Sequence, residues 1–145
     1  MAEQELFRTL TADEARQYSP LTLAFVGDSV YEQYVRTELA LTANRPAGEL
    51  HSMAVKLVNA VYQAEAAHLL LEGVFTEEEE YIFKRGRNAN GISAPKSAKN
   101  ADYRAATGLE AVFGYLALTG RQDRCRELYN IIRTTQNSPI SAKPK

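Results

Sequence analysis

Asp28 is the only charged residue between Gln17 and Tyr31, and Glu110 the only one between Ala105 and Gly120. Both stand inside apolar segments. An ionised carboxylate on a buried helix face is costly unless a cation or hydrogen-bond donors compensate it. If both lie at one site, each disfavours ionisation of the other, and a metal cation is the obvious remedy. Oxygen ligands without cysteine point to Mg²⁺, with Mn²⁺ as a substitute, over zinc. The residues alone also allow two separate sites, where each carboxylate accepts ordinary hydrogen bonds.

A second feature is a local charge imbalance. The net charge is −1. From Lys84 to Arg104, however, Lys84, Arg85, Arg87, Lys96, Lys99 and Arg104 face only Asp102, a local charge of +5. Such asymmetry reads as a patch for a polyanion, or as a solvated loop with scattered cations.

These residues need a scaffold, and 145 residues suit one domain. No run is apolar and long enough to span a bilayer. The start, MAEQELFRTL, lacks the basic and apolar regions of a signal peptide. A lone cysteine, Cys125, excludes an internal disulfide and a CxxC motif. A cytoplasmic protein is expected.

The patterning is helical throughout. Ser19-Pro20 pairs an N-cap with proline at the first helical position. Leu21, Phe25, Val26, Val30, Tyr34 and Val35 then recur at helical spacing until Asn44-Arg45-Pro46. A second long helix is expected over 48–71, with Leu50, Met53, Ala54, Leu57, Val61 and Ala64 inward, ending near Gly73. Thr76 and Glu79 form a capping box for a helix to about Gly86. The stretch NANGISAPKSAKN reads as a loop. Further helices are expected over 102–119 and 122–134, with a helical turn near 13–17. Gly27, beside Asp28, weakens its helix by about 1 kcal/mol relative to alanine, and so has a packing or functional reason. Tyr31 and Tyr34 read as core or interface residues.

Weaker signals carry little. His51 and His68 belong to no metal-ligand motif, and Ser93–Lys96 matches S-x-x-K without its partner motifs. No Walker A or GxGxxG motif occurs.

Three segments together resemble the ribonuclease III family. FVGDSV around Asp28 is similar to the FLGDSV-type signature of its catalytic domain. GELHSMAVKLVN is similar to the next helix, and LEAVFGYLAL around Glu110 to the last signature helix. RGRNA at 85–89 and the basic loop after it resemble mini-ribonuclease III, the short subclass consisting of the catalytic domain without a double-stranded-RNA-binding domain. The resemblance implies an all-α ribonuclease III endonuclease fold, dimeric, with an N-terminal segment at 1–18, a catalytic domain at 19–135 and a disordered tail at 136–145.

It also implies a metal-dependent endoribonuclease that cuts double-stranded RNA to 5′-phosphate and 3′-hydroxyl ends. Asp28 and Glu110 would be its catalytic, metal-binding residues. Mature 23S ribosomal RNA would be the outcome, with ribosomal-protein assistance. Arg85, Arg87, Asn88, Lys96, Lys99 and Arg104 are the expected RNA contacts, with Asn90 beside them. Lys56 and His51 could flank the groove, and Glu49 matches the Glu of the family's GELS. Two acidic positions of the wider family are Ala24 and Thr107 here, as in the short subclass, which leaves the number of metal ions open. The competing class is a non-catalytic helical RNA-binding or ribosome-associated domain.

Overall fold

The computed structural model describes residues 6–89 and 100–136. Lys96, Lys99, Asn90 and the expected tail from 137 lie outside them. Seven helices occur among the described residues, and no strand. They are α1 (Ala12–Arg16), α2 (Pro20–Thr42), α3 (Ala47–Val58), α4 (Ala60–Leu71), α5 (Glu77–Arg87), α6 (Asn100–Leu118) and α7 (Gln122–Thr135).

The centre is α6. From Ala105 to Leu116 every residue except Glu110 is buried. A helix apolar all round must be enclosed by others, and α2, α4, α5 and α7 all pack on it. Tyr31 of α2 meets Phe113 of α6 edge-on at 5.5 Å and Tyr129 of α7 at 5.6 Å. Its hydroxyl donates to the Leu57 carbonyl at 3.0 Å, so the polar end of a buried ring is satisfied.

Local chemistry sets the helix ends. Ser19 Oγ accepts from the Leu21 N–H at 3.1 Å. Thr76 and Glu79 form the expected capping box, and Glu79 is also paired with Arg124 at 2.8 Å while almost fully buried. Gly73 and Gly120, at φ of 95° and 79°, follow α4 and α6, a backbone conformation in which a side chain is strained.

Two expectations need correction. The stretch 48–71 is two helices, divided at Asn59, whose backbone is extended (φ −74°, ψ 162°). The Asn59 side chain accepts from the Tyr62 N–H at 2.9 Å and donates back to the Val55 carbonyl at 3.1 Å. It therefore caps both helices at once, which is the local competition that keeps asparagine out of helix interiors. The break shifts the register: Val61 is 53% exposed, and the inward residues of α4 are Tyr62, Gln63, Ala64, Ala66, Ala67 and Leu70. On α2 the expected stripe is also rotated. Phe25 is 81% exposed, and Leu23, Ala24, Gly27, Tyr31, Val35 and Leu39 face inward.

Ion pairs bind the periphery to this core. Arg121 donates to Glu78 at 3.1 and 2.9 Å, and the Tyr115 hydroxyl donates to the same carboxylate. Arg121 foremost holds the Glu78 carboxyl down at about 2, against the opposing effect of burial. Arg133 likewise grips Glu38 at 2.7 and 2.8 Å and donates to the Tyr62 hydroxyl at 3.0 Å, tying α7 to α2 and α4.

Candidate active site

The site forms where α2 and α6 cross. A Cβ on Gly27 would lie 1.6 Å from the Glu110 carbonyl oxygen, and one on Gly114 would lie 1.8 Å from the Leu23 carbonyl oxygen. The two backbones touch there, with no room for any side chain. Asp28 follows Gly27 directly and Glu110 supplies the carbonyl that Gly27 meets. The glycines therefore bring the two isolated carboxylates into one neighbourhood, and the alternative of two separate sites is excluded.

Their environments differ. Asp28 is exposed, whereas Glu110 is half-buried. Burial first, and then the Asp28 carboxylate beside it, push the Glu110 carboxyl up to about 8. Both effects disfavour the charged form of a carboxyl. Glu32, one turn beyond Asp28, adds a smaller effect of the same sign, but its own carboxylate is engaged by Arg36 at 2.6 Å.

Gln63 completes the neighbourhood. It is only 2% exposed, and its Nε2 has no hydrogen-bond partner. Its amide is near enough to Glu110 to oppose part of the rise in that carboxyl. No motif pointed to it. The available signal was the Asn59 cap, which resets the helical register and turns position 63 inward.

Ala24 and Thr107, where the resemblance implies further acids, supply none. Ala24 is buried, and the Thr107 hydroxyl donates to the Tyr103 carbonyl at 3.0 Å. Among the described residues no group of three or more His, Cys, Asp or Glu side chains is placed to hold a metal ion. A pair of oxygen donors with one strongly elevated carboxyl still fits a hard divalent cation, because Mg²⁺ retains several waters and needs few protein ligands. His51 and His68 are exposed on α3 and α4. Glu49 pairs with Arg45 at 3.3 Å, and Lys56 is exposed.

The basic residues divide into two kinds. Arg85 donates to the Arg16 and Tyr18 carbonyls, both at 3.0 Å, and so fastens the segment between α1 and α2. Arg104 donates to the Arg87 and Ala89 carbonyls at 3.4 and 3.3 Å, joining the end of α5 to α6. Arg87 lies over the Phe83 ring at 5.6 Å and donates to Asn88 Oδ1 at 3.2 Å. The Arg87 and Asn88 side chains make no hydrogen bond to a distant part of the fold among the described residues. Reversing each arginine separates the two kinds. Arg85→Glu is expected to lower the melting temperature by several degrees, because two bonds to backbone carbonyls, one part-buried and one exposed, are lost. Arg87→Glu is expected to leave melting within about 1 °C and to weaken RNA binding, with a shallower salt dependence. Equal melting losses in both variants would contradict this division.

Comparison with known proteins gives the same reading. Residues 21–121 match the ribonuclease III domain. The chain is 40% identical over 122 residues to the Mini-ribonuclease 3 of Thermoanaerobacter sp. (strain X514), covering 84% of this chain and 85% of that protein. Against the Mini-ribonuclease 3 of Symbiobacterium thermophilum the identity is 45% over 109 residues, covering 75% and 83%. A protein of Fusobacterium nucleatum with a crystal structure superposes at a TM-score of 0.74 and 30% identity, covering 84% of this chain and 97% of that one. The chain thus belongs to the ribonuclease III family, as an endoribonuclease of its mini-ribonuclease III branch.

Proposed function

We propose that this protein is a divalent-metal-dependent nuclease that cleaves double-stranded RNA at the Asp28–Glu110 site, and that its role is maturation of 23S ribosomal RNA precursor. The observation that carries the reading is the pair itself: α2 and α6 cross in backbone contact at Gly27 and Gly114, which sets the Asp28 and Glu110 carboxylates side by side. Asp28 and Glu110 would hold Mg²⁺, or Mn²⁺ in its place. When bound, the cation supplies Lewis acidity toward the phosphodiester and charge stabilisation for the attacking water and the departing 3′ oxygen.

The chain's own residues do the rest. Asp28, exposed beside the half-buried Glu110, marks the open side from which a phosphodiester can approach. The expected products carry 5′-phosphate and 3′-hydroxyl ends. Arg87 and Asn88, with Lys96 and Lys99 beyond the described residues, provide the phosphate-binding surface. Arg104 ties the Arg87 end of α5 to α6, and Arg85 ties α5 to the segment between α1 and α2. A-form RNA is read mainly through shape, phosphates and 2′-hydroxyls, which suits a basic surface over a base-reading groove.

A homodimer follows from the same reading. Phe25 projects from α2 at 81% exposure, one turn before Asp28, and a large apolar side chain so placed favours burial against a second copy. Two sites related by a two-fold axis address the two strands of a duplex. A cytoplasmic location and ribosomal-protein assistance complete the proposal. Cleavage-end mapping on total precursor RNA tests it, with Asp28→Asn as control. New 5′ ends at the 23S termini with wild-type protein alone are expected. Cleavage confined to single-stranded RNA, or identical ends with Asp28→Asn, would refute it.

A further inference from the structure

Gln63 is a polar residue where the packing calls for none. Its neighbours on the inward face of α4 are Tyr62, Ala64, Ala66, Ala67 and Leu70, all buried. A leucine or methionine would fill a similar volume. The Nε2 amide is instead left without a partner, and an unsatisfied buried donor costs about 1–3 kcal/mol. Native proteins leave few such groups, and those that remain require an explanation.

Glu110 offers one, because the amide stands beside its carboxyl. Among the described residues, Thr107 and Ala24 supply no free side-chain donor. Thr107, one helical turn earlier on α6, spends its hydroxyl on the Tyr103 carbonyl, and Ala24 offers no polar group. We propose that Gln63 is a positioning residue, whose Nε2 donates to one Glu110 oxygen when that carboxylate engages a divalent cation and so fixes its orientation. The inference rests on the reading of Asp28 and Glu110 as the cation's ligands. An amide suits the task better than a lysine, because it orients the carboxylate without adding a positive charge that would compete with the cation. Partners that orient metal ligands typically contribute 10- to 100-fold in affinity.

Binding of Mn²⁺ alone, followed through the electron paramagnetic resonance signal of the free ion, tests this without any catalytic readout. Wild type, Gln63→Leu, Gln63→Met and Glu110→Gln are compared, with thermal melting of each in the absence of metal. Gln63→Leu is expected to weaken Mn²⁺ binding about 10-fold, with a metal-free melting temperature at or above that of wild type. Gln63→Met repeats the measurement with an unbranched side chain, should leucine disturb the packing. Folded Leu and Met variants that bind Mn²⁺ within twofold of wild type, while Glu110→Gln has lost it, would overturn the role of Gln63 alone. Wild-type uptake in Glu110→Gln would overturn the underlying site as well.

Discussion

Asp28→Asn and Glu110→Gln are each expected to lower cleavage of duplex RNA by at least about 1,000-fold, with the helical circular dichroism spectrum unchanged. The physical basis is charge. Each substitution keeps the shape of the side chain and removes half of the negative charge available to a cation. Loss of the cation's transition-state stabilisation is worth several kcal/mol, and about 4 kcal/mol corresponds to three orders of magnitude in rate. Single-turnover cleavage under saturating protein separates this from weaker RNA binding. Full activity in either variant would remove that carboxylate from the mechanism.

The same substitution should act oppositely on stability. The Glu110 carboxyl is raised to about 8 in the folded chain from 4.5. Between those values the native state holds a proton that the unfolded state has released. Stability is therefore fully present below about pH 4.5 and is lost as pH rises toward 8. Metal-free Glu110→Gln carries no such group, so its melting temperature should exceed that of wild type at pH 8. Added Mg²⁺ should narrow the gap by stabilising only wild type. Stability and function thus compete at one residue, as is common where a site concentrates like charges.

Gly27→Ala is the second large effect. Alanine normally favours a helix over glycine by about 1 kcal/mol. Here the added Cβ would fall 1.6 Å from the Glu110 carbonyl oxygen, and backbone cannot yield as a flexible side chain can. The helices α2 and α6 must separate at their closest point, which loosens the core around α6 and moves Asp28 away from Glu110. A loss of about 4 kcal/mol or more is expected, in the range reserved for severe overpacking. Urea unfolding measures it, and Gly48→Ala is the control, because nothing lies within 4 Å of a Cβ there. A Gly27→Ala midpoint equal to that of wild type would contradict the crossing geometry.

Much of this was legible in the residues. Ser19-Pro20, Thr76 with Glu79, and Gly73 and Gly120 mark helix ends by local chemistry, and the helices begin and end there within one or two residues. Gly27 was conspicuous because a helix interior normally avoids it, and its partner proves to be the carbonyl of the other isolated acid. Asn59 was harder. An asparagine between apolar stretches does not by its type reveal whether it is an exposed helix residue or a double cap. Only its side-chain bonds to both helices decide that. The restart turns Val61 outward and Gln63 inward on α4, whereas Ala64 is inward as expected. The structural use of Arg85 and Arg104 was hidden for a different reason. Composition counts a guanidinium as a free cation, whereas its donors can be committed to backbone carbonyls far away in sequence.

The central claim is that Asp28 and Glu110 form one cation site. Anomalous diffraction from crystals grown with Mn²⁺, in a buffer that supports cleavage, tests it most directly. A peak within about 2.5 Å of a carboxylate oxygen of each residue is predicted, with ligand distances typical of a hard divalent ion. A Mn²⁺ peak elsewhere in active protein, with the space between Asp28 and Glu110 empty, would contradict the account.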